Sequence, residues 1–560
     1  MLKINRKQIF VSVLLLLIGL LLVADRVLWA SVSPWREDQA TNLWLGYTQH
    51  LSNIPVGLIS SQGIPNPNGM VILGYFLSFL PTLWLIGSFL GCLQAVLVLL
   101  LCWRLFPTSI PKFLLIAVPL LTSVVLRASS VEFWNQWIMT LPNLLFFIWA
   151  NEYLNSPNLW KIPFWVILIC IAPSIYLAGI VNAVVMGILG CAIIIFRPPP
   201  GWRTGWWKPA LISVFILMIS LLSTWIPYFQ AITLRDLMNF NYGEPLSLLQ
   251  KLRYIAESVF SFPAYAGFQW ADISLISIFQ YNEKIISRPA SVFILISCWT
   301  YLIESFFAFG FLLLGLYHHY RSRHTANSPL AEKINQDIAS PVIFSYGFIV
   351  LSYVFSIGLG GPVWVRDQRT DQLIQYLPSF LVFVFLAPFC FKFSPKVELF
   401  RSKIIYSLAA IFAISSAIGG ILIVDSNQHY LGKVLSQADA PLTQKNKVVD
   451  FIVRDWKTIS NDNKIPVDYQ LGGGIWDWVP EFGQRLEKWY PAPMTFGRSF
   501  DYDLRRRYGL TNSQEGIQLR AFGTGRYLVN YSFKAAPIVD PTYSVQYFLI
   551  GRFRVTIVDR

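Results

Sequence analysis

Residues Gly69 to Phe106 read GMVILGYFLSFLPTLWLIGSFLGCLQAVLVLLLCWRLF, and the way this stretch divides sets the topology of everything after it. One bilayer crossing takes about 17 to 25 residues, so the run is too long for a single span. Two full crossings would invert every later loop. Met70 to Trp84 is short and interrupted by Gly and Pro, whereas 85–106 is predominantly apolar and long enough for one crossing. The sequence therefore predicts a helix that dips back toward the outer face, entered through Pro65-Asn66-Pro67-Asn68-Gly69, and then one true span.

Outward from this stretch, apolar runs of similar length recur near 111–128, 136–153, 162–178, 180–196, 209–228, 291–317, 341–360, 373–391 and 404–424. Ile9 to Val23, preceded by Lys3, Arg6 and Lys7, adds a first anchor. It is read as retained because Trp29-Ala30-Ser31-Val32-Ser33 is a poor small-residue cleavage site. The total is about eleven spans. Composition agrees: of 560 residues, 55% are hydrophobic, 16% aromatic and only 13% charged, with a mean hydropathy of +0.51. Soluble domains average about 25% charged residues, so an ordinary soluble enzyme is excluded. Disordered and collagen-like chains are excluded as well, because 34 Gly and 33 Pro are unremarkable at this length. The fold class is a polytopic α-helical membrane protein.

The formal charge of +14 would suit a nucleic-acid binder were it not for where the charges lie. With a cytoplasmic N-terminus, the inner connections hold Lys3, Arg104, Arg197, Arg321, Arg401 and other basic residues, opposed only by Glu152, Glu332, Asp337 and Glu398. Outer segments mix signs, as in Arg366-Asp367-Gln368-Arg369-Thr370-Asp371. This is a positive-inside bias. It accounts for most of the +14 and calls for no nucleic-acid partner. An odd number of spans then places the C-terminus outside the plasma (inner) membrane.

Residues 1–424 form the membrane domain, with long outer loops at 25–84 and 230–290, and 425–560 form an extracytoplasmic α/β domain. In that domain Val448, Val449, Ile452 and Trp456 repeat at helical spacing, while Val467 to Leu471, Tyr527 to Tyr531 and Tyr547 to Val558 read as strands. All six cysteines lie in or beside spans, so this domain has neither a disulfide nor a thiolate metal site. Gly472-Gly473-Gly474 lacks dinucleotide-binding spacing and reads as a turn. His318, His319 and His324 fall in an inner basic loop without an acid partner. No metal site is assigned and no cofactor follows from the residues.

Chemistry concentrates on the outer segments. Glu37 and Asp38 open an amphipathic helical pattern in which Ala40, Leu43, Trp44 and Tyr47 share a face. A carboxylate there suits a general base that deprotonates an acceptor hydroxyl; first-turn acids favoured by the helix dipole fit the pattern equally. Arg127 and Glu132 sit in another outer connection, as a site pair or as a surface ion pair. Arg366 and Arg369, ahead of Tyr376-Leu377-Pro378, suit a lipid phosphate or pyrophosphate, or plain headgroup anchoring. Lys251, Arg253, Lys284 and Arg288 are weaker candidates of the same kind.

Together the N-terminal anchor, Glu37-Asp38, the Pro65-Pro67 turn ahead of a dipping helix, a second acid after Arg127, Tyr376-Leu377-Pro378 and the external C-terminal domain resemble the GT-C superfamily of membrane glycosyltransferases. In layout the chain is similar to the protein O-mannosyltransferases and the lipid A aminoarabinose transferases, over nearly its whole length. It departs in motif: the family shows Asp before Glu and a second acid that is Asp, where this chain has Glu37 before Asp38 and then Glu132, with Asn135 as a competing position. The resemblance implies inverting transfer of a sugar from a polyprenyl-phosphate-linked donor to a lipid, glycan or protein acceptor, with membrane lipids around the site. Asp38 or Glu37 would be the base, Glu132 would position a substrate, and Arg366 with Arg369 would hold phosphate. Arg127 and Tyr376 join the substrate-binding set, and Trp35, Trp44 and Trp134 would stack on sugar rings or, the better fit for any one of them, anchor in the headgroup belt. A transporter or flippase of lipid-linked glycans and a noncatalytic envelope assembly protein are the two other classes that fit.

Overall fold

The computed structural model describes residues 6–33, 42–43, 46, 56–57, 66–80, 82–232, 247–253, 288–324, 334–360, 374–429, 442–459, 467–472, 517–519, 526–531, 544–550 and 553–559. Helix α1 spans Arg6–Val32. The stretch from 69 to 106 divides as its composition predicts, into a nine-residue helix α2 (Gly69–Leu77) and a 23-residue helix α3 (Leu83–Leu105). At about 1.5 Å per residue, α2 is too short to cross a bilayer. The hydroxyl of Thr82 accepts the backbone N–H of Leu85 at 3.2 Å, which starts α3 cleanly.

Five described helical segments are long and apolar enough to span a membrane: Leu83–Leu105, Gly179–Phe196, Trp207–Gln230, Pro289–Tyr320 and Pro395–Asp425. A sixth arises if α4 (Ile110–Thr122) and α5 (Val124–Ser130) count together, although they meet at 60°. The expected continuous span at 111–128 is therefore bent. Ser123 ends one helix and its hydroxyl caps the next by accepting from Leu126 N–H. Other apolar runs form shorter helices, α6 (Asn135–Ile138), α7 (Thr140–Asn155) and α8 (Lys161–Ile175), followed by α9 (Gly179–Phe196) and α10 (Trp207–Ser220). Hydropathy counts apolar residues but does not see where the backbone breaks, so runs of eighteen or so residues resolve into pieces of fifteen or sixteen.

The second half contributes α11 (Arg288–His324), α12 (Gln336–Gly360), α13 (Leu377–Leu386) and α14 (Pro395–His429). Helices α11 and α14 run antiparallel: Ile294 lies beside Gly419, and Tyr301 packs at a tilt against Phe412 with ring centroids 6.3 Å apart. Helix α13 is buried along its whole length. One apolar core joins it to α4, α7, α11, α12 and α14. Phe146, Phe147, Phe344 and Phe348 interlock there with centroids 4.9 to 6.0 Å apart.

At the C-terminal end, helix α15 (Leu442–Ile459) accompanies a five-stranded mixed sheet in the order β2-β1-β3-β5-β4, with β1 at Val467–Gly472, β2 at Ile517–Leu519, β3 at Tyr527–Tyr531, β4 at Ser544–Ile550 and β5 at Phe553–Asp559. Strand β1 runs parallel to β2 and β3, and β5 is antiparallel to both β3 and β4. The run Tyr547 to Val558 thus forms parts of two strands, with Ile550 paired to Phe553 where it folds back. Helix α15 packs on this sheet through Phe451 and Phe548, centroids 4.9 Å apart, and through Asp455, which accepts the Tyr527 hydroxyl at 2.7 Å.

Candidate functional site

The described polar residues cluster where α1 ends, around the connection between α5 and α7. Asp25, a quarter exposed, is held from two sides. Arg127 donates to its carboxylate through Nε at 3.1 Å and through Nη2, and Arg26 donates through Nη1 at 2.5 Å. Both guanidiniums are buried, at 1% and 5% exposure. Arg127 also lies over the Trp29 ring at 5.1 Å, and its Nη1 fills the place a Cβ would take on Gly420. Glycine there lets α14 approach. Arg127 is thus a clamp joining α1, α5 and α14. The surface Arg127–Glu132 pair that sequence spacing allowed is not what forms: both residues are buried, and Arg127 is committed to Asp25.

Glu132, 1% exposed, accepts the Ser33 hydroxyl at 2.5 Å. Three residues later, Asn135 Oδ1 accepts the side-chain amide of Asn42 at 3.0 Å. Ser33 precedes Glu37-Asp38 in the chain and Asn42 follows it. Both flanks of that acid pair are therefore fastened to one short connection. The Asn42 end is packed further against α2, because Gly74 and Gly46 permit contact between backbones: a Cβ on Gly74 would lie 2.8 Å from Asn42 O, and one on Gly46 would lie 2.6 Å from Val71 O. Asn66 and Asn68 secure the entry to α2, accepting from Leu177 N–H at 3.1 Å and donating to Ser223 O at 3.2 Å.

A second buried group adjoins the first. The turn Ile374–Tyr376 packs against α5, α6 and α7. Asn182 donates to Asn143 Oδ1 at 3.1 Å and to Gln375 Oε1 at 2.9 Å, and accepts the Tyr376 hydroxyl at 2.6 Å. Asn143 in turn donates to the Gln375 carbonyl at 3.0 Å. Asn143 and Asn182 lie in the first turns of α7 and α9, and Tyr376 immediately precedes α13. The network fixes these three helix starts around the Glu132 connection. Trp134, half-buried beside it, meets Trp137 edge to face at 4.9 Å.

Of the residues nominated from sequence, Arg127, Glu132 and Tyr376 are brought to this region, the last with its hydroxyl bonded to Asn182. Trp35, Glu37, Asp38, Trp44, Arg366, Arg369 and Lys284 lie outside the described residues. Lys251 and Arg253 are described, in the short stretch 247–253; the Arg288 side chain is not described. Among the described residues no three His, Cys, Asp or Glu side chains gather as a metal site would require.

Sequence reasoning passed over Asp25, Arg26, Ser33, Asn143, Asn182 and Gln375, whose only signal is polarity at the end of an apolar run. It also passed over Glu304. This carboxyl sits near the middle of α11, is fully buried, and neither oxygen has a hydrogen-bond partner among the described residues.

Known protein families, curated proteins and solved structures give no match to this chain.

Proposed function

We propose that the chain is a membrane glycosyltransferase that moves a sugar from a polyprenyl-phosphate-linked donor to an acceptor hydroxyl at the outer face of the plasma (inner) membrane. About eleven spans, a cytoplasmic N-terminus and an extracytoplasmic C-terminal domain complete this reading. It is carried by one observation: the residues on either side of Glu37-Asp38 are both fastened to the connection that bears Glu132. A chain with no need of these acids has little reason to anchor both ends of their segment, one to Glu132 and the other to Asn135, on a connection that carries a third, buried carboxyl.

In the proposed reaction the acceptor oxygen attacks the anomeric carbon as the bond from that carbon to the phosphate oxygen breaks. Asp38 or Glu37 takes the hydroxyl proton, and polyprenyl phosphate departs with the bonding electrons. Attack opposite the leaving group inverts the centre. Glu132, kept in place by Ser33, positions a substrate, and Arg366 and Arg369 neutralise the phosphate. Arg127, bound to Asp25, supports the scaffold. A lipid-linked donor suits an outer-face site, where nucleotide sugars are not supplied. Purified protein in lipid should transfer sugar from at least one labelled polyprenyl-phosphate donor. Failure with every such donor would end the proposal.

One observation favours the second class, a transporter or flippase of lipid-linked glycans. Ionisable residues inside spans mark translocation pathways, and Glu304 is buried near the middle of α11. The two readings part at this residue: Glu304→Gln spares a transferase and cripples a transporter. An envelope assembly protein would instead tolerate loss of both Glu37 and Asp38.

A further inference from the structure

We infer that the C-terminal helix positions Glu132, acting through Leu442 and Ser33; the inference rests on the transferase reading for its catalytic meaning. Ser33 is the junction. Its hydroxyl donates to Glu132 at 2.5 Å, while its carbonyl accepts the backbone N–H of Leu442 at 3.0 Å. Leu442 opens α15. Its side chain is 1% exposed and belongs to the apolar cluster that also buries Leu43, Met70, Leu83, Phe133 and Met139. Phe133 is the residue after Glu132, and Leu43 the residue after Asn42. The start of α15 therefore holds the Glu132 connection twice, through the Ser33 backbone and through the shared apolar cluster.

The other end of α15 is tied to the sheet. Asp455 accepts the Tyr527 hydroxyl at 2.7 Å and lies 3.9 Å from the Arg526 guanidinium, and Phe451 packs on Phe548. The sheet, α15, Leu442, Ser33 and Glu132 thus form one chain of contacts. A carboxyl that must meet a substrate in one orientation gains from being held before the substrate arrives. The C-terminal domain supplies that hold. Ser33 and Leu442 are positioning residues, with no contact to substrate required of either.

The test uses the full chain in lipid and the variants Ser33→Ala, Ser33→Thr and Leu442→Ala. Ser33→Ala should lower kcat by about tenfold, the scale of one hydrogen bond, and leave the donor KM unchanged. Ser33→Thr keeps the hydroxyl and should restore most of the rate. Leu442→Ala should lower kcat similarly and add little on top of Ser33→Ala, because both loosen the placement of the same Glu132 carboxyl. Full activity in Leu442→Ala would overturn the inference while leaving the transferase reading intact. A second readout does not depend on activity: amide hydrogen exchange over residues 131–135 should quicken by about tenfold in Leu442→Ala. Unchanged exchange there overturns the positioning link even if no donor is ever found.

Discussion

Asp25→Ala removes the one carboxylate that, among the described residues, binds Arg26 and Arg127, and its cost follows from what it strands. Three charge-assisted hydrogen bonds disappear, two from Arg127 and one from Arg26, and guanidiniums that are 1% and 5% exposed lose their counter-charge. Breaking a buried ion pair by removing one partner costs about 3 to 5 kcal/mol. Asp25 is a quarter exposed, so water re-enters on its side and the low end of the range applies, about 3 kcal/mol. That is a large part of a total stability of about 5 to 15 kcal/mol. Equilibrium unfolding in mixed micelles, followed by tryptophan fluorescence, measures it, since Trp29 sits against Arg127. Adding Arg127→Leu should recover about 1 kcal/mol or more, because it removes a stranded charge. A loss below about 0.5 kcal/mol in Asp25→Ala, the scale of an ordinary surface change, would refute the clamp. A double variant worse than the single would do the same.

Gly420→Ala puts a methyl 2.2 Å from Arg127 Nη1 and 3.2 Å from the Trp29 ring, so the same unfolding assay should show a loss of about 1 to 3 kcal/mol; no change would mean that α14 does not pack on the clamp. Tyr376→Phe leaves Asn182 Oδ1 without its donor and should cost about 1 to 3 kcal/mol, whereas wild-type stability would show the network to be dispensable. Burial pushes the Tyr527 phenol above its ordinary value, and the bonded Asp455 adds to the rise. The folded form therefore keeps its proton where the unfolded form has lost it, so this stabilisation is complete below about pH 10 and is lost as pH climbs through the higher folded value. Amide exchange of β3 and β5 should accelerate above about pH 10 beyond the intrinsic rate, and Tyr527→Phe should remove that excess; identical profiles would contradict it.

The part of the fold legible in the sequence is the part governed by solvation. Apolar runs announced the long helices, and the interruption between α2 and α3 was visible because Met70 to Trp84 is too short and broken to span. What escaped depends on backbone geometry and on partners distant in sequence. Ser123 looks like any serine in an apolar run until it caps α5 and turns the chain by 60°. Asn143, Asn182 and Tyr376 belong to three different runs, and nothing local says that they meet. At the site, Glu132 was legible as a costly carboxyl in an outer connection. Its hold by Ser33 was not, because that contact joins residues 99 positions apart. Arg127 drew notice for its charge, but Glu132 was its nearer acid in sequence and Asp25, within the first helix, its partner in space.

The proposed function has carboxylates of the first outer segment drive sugar transfer beside Glu132. Its most direct measurement is the single-turnover rate from a polyprenyl-phosphate-linked sugar, compared between wild type, Glu37→Gln and Asp38→Asn at equal membrane insertion. Losing the general base should lower the rate by about 10² to 10⁴ in at least one variant, with donor binding preserved. Wild-type rates in both variants would contradict the account.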